Sequence, residues 1–170
     1  MILVIYYSRS GQNYFGGEIV DLERGNSEQV AEFIAEAVGA DTFEIRPARS
    51  YPEDYNECTD VARKELRENK RPHLKEYLKD ISVYDKVFVV GPCWWGTYPM
   101  AMYTQLEKLD FRGKKVLPVM THEGSGMGSA ERDLKKICRG AKIARGLAIQ
   151  GSKVPDSQQT VAEWAVKNTR

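Results

Sequence analysis

Three short segments of this 170-residue chain combine the residue types that proteins use to bind ligands. The first, residues 8–13, follows an apolar run and offers hydroxyls, an amide and free backbone N–H groups. Asn26 and Ser27 stand at the start of a predicted helix, where the helix dipole favours an anion. The two stretches together could hold a phosphate without a lysine, although a polar turn and a helix cap would have the same composition. The candidate phosphate-binding residues are Ser8, Ser10, Gly11, Gln12, Asn13, Asn26 and Ser27.

The second segment, residues 92–97, is aromatic and also follows an apolar run. Consecutive side chains point apart, so Trp94, Trp95 and Tyr98 cannot all enter the core, and these aromatic residues could instead stack on a planar ligand. Gly96 would let the backbone approach that ligand closely. The alternative is that one tryptophan packs on a helix and the other lies on the surface. The candidate ring-binding residues are Pro92, Cys93, Trp94, Trp95, Gly96 and Thr97.

The third segment, residues 121–126, is rich in glycine, and its backbone N–H groups could contact carbonyl oxygens or ring nitrogens of a ligand. Gly124, Gly126 and Gly128 do not have the spacing of the dinucleotide fingerprint, and they follow the fourth predicted strand instead of the first. A dinucleotide-binding Rossmann fold is therefore excluded. The candidate residues are Thr121, His122, Glu123, Gly124, Ser125 and Gly126.

The elements that must position these segments alternate between strands and helices. Apolar or alternating runs predict five strands, at residues 2–6, 42–46, 86–91, 115–120 and 145–150. Helical periodicity predicts helices at 26–38, 99–109, 131–139 and 157–168, with Asn26 as the first N-cap and Gln29 as its capping-box partner. One or two surface helices, without any sign of an active site, are predicted between residues 57 and 77.

The predicted order is that of an α/β fold, a doubly wound parallel sheet with helices on both faces. The three segments follow the first, third and fourth strands, so they should meet at the carboxyl edge of the sheet, where such folds bind ligands. Pro118 is unexpected in a central strand, because it lacks an N–H donor. Residues 14–25 lie between the first strand and its helix, and part of this stretch could form a small hairpin.

Length and composition favour a single domain over residues 1–170. About 70% of the chain's surface would be buried, enough for one core, and the longest apolar runs are too short to cross a membrane. Three cysteines without CxxC spacing argue against disulfides or a metal site and favour the reducing cytoplasm. Residues 1–85 carry 11 basic and 17 acidic residues, and residues 86–170 carry 14 and 7. The basic second half could attract a phosphorylated ligand, but no nucleic-acid-binding motif accompanies it.

Taken together, the three segments resemble those of the flavodoxin family, and the resemblance extends over essentially the whole chain. Residues 8–13 look like its phosphate loop, residues 92–97 like the loop that holds the isoalloxazine ring, and residues 121–126 like the loop at the pyrimidine edge. The resemblance implies FMN bound without a covalent link, and a five-stranded sheet in the order 2-1-3-4-5. It also implies a proline in the fourth strand. One departure is that residues 14–25 are inserted before the helix, which splits the phosphate-binding residues into two groups.

The resemblance implies redox chemistry, with Trp94 or Trp95 shielding one face of the flavin, Gly96 near N5 and Glu123 near the pyrimidine edge. We expect an FMN-dependent oxidoreductase that passes reducing equivalents from NAD(P)H to a small quinone-like acceptor. The alternative is an electron carrier between protein partners, although such carriers are usually strongly acidic and this chain has a net charge of +1. A module that only stores FMN also remains open. A phosphoacceptor receiver domain is excluded. The sequence around Cys93 offers no base that would activate its thiol as a nucleophile.

Overall fold

The computed structural model describes residues 1–170, and it has the predicted alternation of strands and helices. The helices are α1 (Asn26–Val38), α2 (Tyr55–Arg67), α3 (Met100–Leu106), α4 (Ala130–Ile137) and α5 (Gln158–Thr169), with a 3-10 helix at Gly151–Asp156. The strands are β1 (Ile2–Tyr6), β2 (Gly11–Phe15), β3 (Glu18–Leu22), β4 (Asp41–Glu44), β5 (Lys86–Pro92), β6 (Lys115–His122), β7 (Lys142–Ile143) and β8 (Leu147–Gln150). None of the helices combines the length and apolar character that a membrane crossing requires.

The main sheet is parallel and has six strands instead of the expected five. Its order is β4-β1-β5-β6-β7, and β8 also pairs with β6. The last position of the predicted order 2-1-3-4-5 is thus shared by two short strands, of which β7 pairs at Lys115 and Val116 and β8 pairs from Val119 onward. The gap between β7 and β8 lies beside Pro118. A Cβ added to Gly146, which lies in this gap, would be 3.0 Å from the carbonyl oxygen of Pro118. Because proline has no N–H to donate, the neighbouring strand cannot pair continuously past it.

The core consists of two apolar layers, one on each face of the sheet. Successive residues of β1 point to opposite faces, so Val4 packs in the layer under α1 and α5, whereas Leu3 and Ile5 pack in the layer under α3 and α4. Phe88 and Val89 divide between the layers in the same way. Burial on both faces explains why these strands are continuous apolar runs.

The strands β2 and β3 form an antiparallel hairpin outside the main sheet. It begins at Gly11, so it takes in part of the predicted phosphate-binding segment as well as the alternating stretch Glu18–Leu22. The region predicted as one or two helices between residues 57 and 77 contains one, α2, and no helix follows it before α3. The chain after α2 instead forms an isolated antiparallel bridge between Pro47 and Leu74.

Candidate functional site

A cavity of about 130 Å³ lies where the carboxyl ends of β1, β5 and β6 meet the start of α1. Nine of the residues predicted from the sequence line it, and they come from all three segments. These nine are Asn13, Asn26, Ser27, Pro92, Cys93, Trp94, Thr121, His122 and Glu123. The cavity thus lies at the edge of the sheet where parallel α/β folds bind ligands.

Ser8, from the first group of candidate phosphate-binding residues, contacts the start of α1, where the second group lies. The hydroxyl oxygen of Ser8 accepts a hydrogen bond from the backbone N–H of Glu28 at 3.0 Å, so Ser8 caps α1 from 20 residues away. Asn26 was expected to be the N-cap, but the N-cap is Gly25, which has no side chain to provide a bond. A Cβ on Gly25 would overlap Ser8 and Arg9, so only glycine lets the chain pass there.

The buried hydroxyl of Ser27 hydrogen-bonds the hydroxyl of Thr121 at 2.8 Å, which joins the start of α1 to the end of β6. Two nearby side-chain oxygens, Asn26 Oδ1 and Glu123 Oε1, are buried and have no hydrogen-bond partner. The other carboxylate oxygen of Glu123 accepts a bond from the backbone N–H of Gly16 at the hairpin turn, at 3.4 Å. Burial raises the pKa of the Glu123 carboxyl. The site therefore offers two acceptors that require donors.

Residues 9–13 run from the loop after β1 into β2 and are stabilised mainly by their own hydrogen bonds. The amide of Asn13 donates to the backbone oxygens of Arg9 and Gly11, at 2.9 and 3.2 Å. The side-chain oxygen of Gln12 accepts from the backbone N–H of Tyr55, at 2.8 Å, and joins the start of β2 to α2. Ser10 is exposed. Ser8, Ser10, Gly11 and Gln12 do not line the cavity, so only Asn13 of this predicted segment does.

The two tryptophans of the aromatic loop have different environments. Trp94 is half-buried and meets Tyr7 and Tyr51 edge to face, at centroid distances of 5.3 and 4.9 Å. Trp95 is 50% exposed, and its indole N–H donates to the carbonyl of Thr59 at 2.9 Å. Trp95 and Gly96 have φ of 56° and 86°, and the Trp94 N–H bonds the Thr97 carbonyl, as in a tight hairpin-type turn. One tryptophan therefore packs inward and the other lies at the surface.

The remaining predicted residues of the aromatic loop are engaged by α4 and do not line the cavity. The carbonyl of Gly96 accepts from the backbone N–H of Ser129 at 2.7 Å. Thr97 is buried, and its hydroxyl donates to the carboxylate of Asp133 at 2.7 Å while it bonds the Tyr103 hydroxyl. Gly96 was expected to approach a flavin at N5, but its carbonyl is already paired within the protein.

The third loop contributes its first half to the cavity and not its glycines. The Nδ1 atom of His122 accepts the backbone N–H of Gly124 at 2.9 Å, so the neutral imidazole carries its proton on Nε2. Burial lowers the pKa of His122, which favours that neutral form. Gly124 and Ser125 are exposed, and neither they nor Gly126 line the cavity.

A second cavity, of about 290 Å³, adjoins the first and shares Arg9, Asn13, Tyr55, Cys93 and Trp94 with it. Its other lining residues are Cys58, Thr59, Ala62 and Trp95. Most of these residues lie on α2, which the sequence did not identify as part of a site. Their spacing on one face of the helix is the same as that of core residues, so the sequence pattern could not distinguish the two. Burial raises the pKa of the Cys58 thiol, and all three cysteines are free.

Sequence analysis missed Arg9, Tyr14 and Tyr55, which line the first cavity. Tyr14 of the hairpin and Tyr55 of α2 stack at 6.2 Å with an interplanar angle of 30°. The sequence signal that could have identified them is the position of these aromatic residues, Tyr14 in an insertion and Tyr55 at the start of a polar helix. Arg9 is the only cation in the lining, so no basic residue of the second half contributes to this cavity.

The fold and the position of the site define a flavodoxin-like α/β protein. The Flavodoxin family model matches residues 1–168, and the chain therefore belongs to the flavodoxin family. A comparison with curated proteins gives no match.

Solved structures share the fold over nearly the whole chain. A protein of Bacteroides uniformis ATCC 8492 that carries a provisional flavoprotein name is 28% identical, with a TM-score of 0.73, and 98% of this chain and 97% of that chain are covered. A similarly named protein of Bacteroides eggerthii DSM 20697 is 27% identical, with a TM-score of 0.71 and coverages of 95% and 97%. A flavoprotein of Lactobacillus acidophilus NCFM in complex with FMN is 20% identical, with a TM-score of 0.65 and coverages of 91% and 96%.

Proposed function

We propose that this protein binds one FMN without a covalent link and acts as an oxidoreductase, passing reducing equivalents from NAD(P)H to a small quinone-like acceptor. The observation that carries the proposal is the pair of adjoining cavities at the carboxyl edge of the sheet. The polar start of α1 lines one end of this pair of cavities, and the aromatic rings of Trp94, Tyr14 and Tyr55 line the other. The FMN complex of a flavoprotein with this fold supports the choice of cofactor.

The chemistry of the cavity lining suits FMN. Ser27, Asn26 and the guanidinium of Arg9 would hold the phosphate, because a helix N-terminus and a cation both favour an anion. The unpaired oxygens Asn26 Oδ1 and Glu123 Oε1 are acceptors, and FMN offers donors in its ribityl hydroxyls and its ring N3–H. Trp94 and Tyr55 would contact the ring.

When bound, FMN supplies transfer of one or two electrons. The residues of this chain would bind the ring, exclude water from one face and control charge at its edge. Neutral His122, with its proton on Nε2, would donate a hydrogen bond to an oxygen of the ring or the acceptor. Ionised Glu123 would oppose negative charge on the reduced ring and lower its potential.

The turnover experiment uses the FMN-loaded protein alone, without a separate reductase. Anaerobic stopped-flow mixing with NADH and with NADPH should bleach the flavin within seconds, and a small quinone should then restore its colour. If both nicotinamides leave the flavin oxidised for minutes while a reductase protein reduces it readily, the protein is an electron carrier. If neither the nicotinamides nor the reductase protein reduces the flavin, the protein is a storage module for FMN.

We also propose that residues 1–170 form one FMN-binding domain with an insertion at about residues 14–25, a stretch that overlaps the hairpin. The proposal also places the protein in the cytoplasm, where a reducing environment keeps Cys58, Cys93 and Cys138 as free thiols. Limited proteolysis tests the domain assignment, because a single domain should lose exposed loops and termini before any large internal fragment appears.

A further inference from the structure

A separate cleft of about 830 Å³ lies beside α2 and shares no lining residue with the two cavities of the candidate flavin site. One wall is formed by Val61, Lys64 and Glu65 of α2. The opposite wall is formed by two chain segments, residues 48–52 and 70–73. We call it the α2 cleft. Its size is that of sites for small organic ligands.

The walls of the α2 cleft are held in place by hydrogen bonds, so the cleft exists before any ligand arrives. The backbone N–H of Ala48 donates to the His73 carbonyl at 2.8 Å, next to the antiparallel bridge between Pro47 and Leu74. The Tyr51 hydroxyl donates to the Glu65 carboxylate at 2.6 Å and joins the loop to α2. A preformed cleft lowers the entropic cost of binding.

The charge of the α2 cleft is opposite to that of the chain around it. Residues 1–85 carry 11 basic and 17 acidic residues, yet the cleft has four cations, Arg49, Lys64, Lys70 and Arg71, and one acid, Glu65. The Glu65 carboxylate is already engaged by Tyr51. Lys70 pairs with Glu68 and Arg71 pairs with Glu107, whereas Arg49 and Lys64 make no ion pair. Two free cations therefore face an acceptor-poor cleft, which favours an anionic ligand.

Besides Ser50 and His73, the remaining lining is apolar or flat, and it could contact an uncharged part of the ligand. Tyr51, Pro52, Val61 and Pro72 line the cleft between the cations. Val61 is 38% exposed, which is unusual for an apolar residue of a helix that packs on a core. Apolar surface next to arginine and lysine suits a molecule that has a planar body and a charged group.

We propose that the α2 cleft binds a small phosphorylated aromatic molecule, such as an adenine nucleotide, with Arg49 and Lys64 on the phosphates and the base against Tyr51 and Pro52. This is a second ligand site and goes beyond the redox function, because it requires no bound flavin. The cleft nevertheless lies next to the candidate flavin site. The ring of Tyr51 lies 4.9 Å from that of Trp94, which lines both flavin-site cavities.

The experiment is an NMR titration of FMN-loaded protein with ADP, in which FMN blocks the phosphate-binding end of the flavin site. Backbone amide shifts should saturate at residues 48–51, 61–65 and 70–73. Adenosine, which has the base but no phosphate, should bind at least about tenfold more weakly, since charge-assisted hydrogen bonds are lost. Inorganic pyrophosphate, which lacks the base, should also bind more weakly than ADP.

The matched variants are Arg49→Ala combined with Lys64→Ala, and Lys79→Ala as a control. Lys79 is exposed, makes no ion pair and does not line the cleft. The double variant should weaken ADP binding at least about tenfold, whereas the control should leave it unchanged. Equal binding by the double variant, or shifts confined to residues 8–13 and 26–27, would overturn the proposal. A response to a polyaspartate peptide but not to ADP would also overturn it and would assign the cleft to an acidic protein partner.

Discussion

The backbone N–H of Ser129 donates to the carbonyl of Gly96 at 2.7 Å, and this bond joins the loop after β5 to the start of α4. The Ser129 hydroxyl lies 2.6 Å from the Asp133 carboxylate, which also accepts from Thr97 at 2.7 Å. The aromatic loop is thus positioned by α4, an element that does not itself line the flavin site. The conformation of Trp94 and Trp95 depends on this network.

Ser129→Ala should destabilise the folded protein by about 1–3 kcal/mol, because the partly buried Asp133 carboxylate loses one of its two hydroxyl donors. Chemical denaturation monitored by circular dichroism measures the change. Ser125→Ala is the matched control, since Ser125 is exposed and lies in the same region. Equal stability of the two variants would show that the network contributes nothing.

Ser27→Ala should weaken FMN binding by about 1.5–3 kcal/mol, because a hydroxyl at the start of α1 would be lost from the phosphate. Riboflavin, which has no phosphate, should lose much less affinity. Flavin fluorescence quenching measures both constants.

Thr121→Val is a comparison variant for this experiment, because it removes the same Ser27–Thr121 hydrogen bond without touching the Ser27 hydroxyl. Thr121 also lines the cavity, so its effect is measured with both FMN and riboflavin. A direct role for Ser27 predicts a larger loss of FMN affinity in Ser27→Ala than in Thr121→Val. If Ser27→Ala weakens FMN and riboflavin equally, Ser27 only joins α1 to β6 and does not bind the phosphate.

Glu123→Gln should stabilise the protein at neutral pH and have little effect in acid. Burial raises the pKa of Glu123 in the folded state, so the contribution of this carboxyl is greatest below its unfolded pKa and is lost as pH rises through the folded pKa. Glutamine keeps the size and the acceptor oxygen but never ionises. Melting temperatures between about pH 4 and about pH 8 should therefore diverge with rising pH, the variant being higher. Parallel curves would contradict this.

Trp94→Ala and Trp95→Ala should differ strongly in stability. Trp94 is half-buried between Tyr7 and Tyr51, so its truncation should cost about 3 kcal/mol or more. Trp95 is 50% exposed, so its truncation should cost about 1 kcal/mol or less. Urea denaturation of both variants without FMN gives the comparison, and similar costs would mean that Trp95 is also part of the core.

Much of the fold was predictable because local patterns carry its signals. The continuous apolar runs at residues 2–6 and 86–91 are typical of strands buried on both faces, and the polar segments after such strands were expected to meet at one edge of the sheet. Pro118 was unexpected in a central strand, and in the structure the strand position beside it divides into β7 and β8. The count of strands was wrong for that reason.

By itself, the sequence determined the α/β order, the edge of the sheet at which the first cavity lies and most of the residues around that cavity, since these follow from hydrophobic periodicity and from position after a strand. Only the tertiary structure decided which distant residues complete the site. Ser8 caps α1 in place of Asn26, Tyr55 enters the cavity from a helix without an apparent motif, and Ser129 occupies the carbonyl of Gly96. Each of these contacts joins segments 20 or more residues apart, and their geometry is set by the packing of helices on the sheet, which no local pattern encodes.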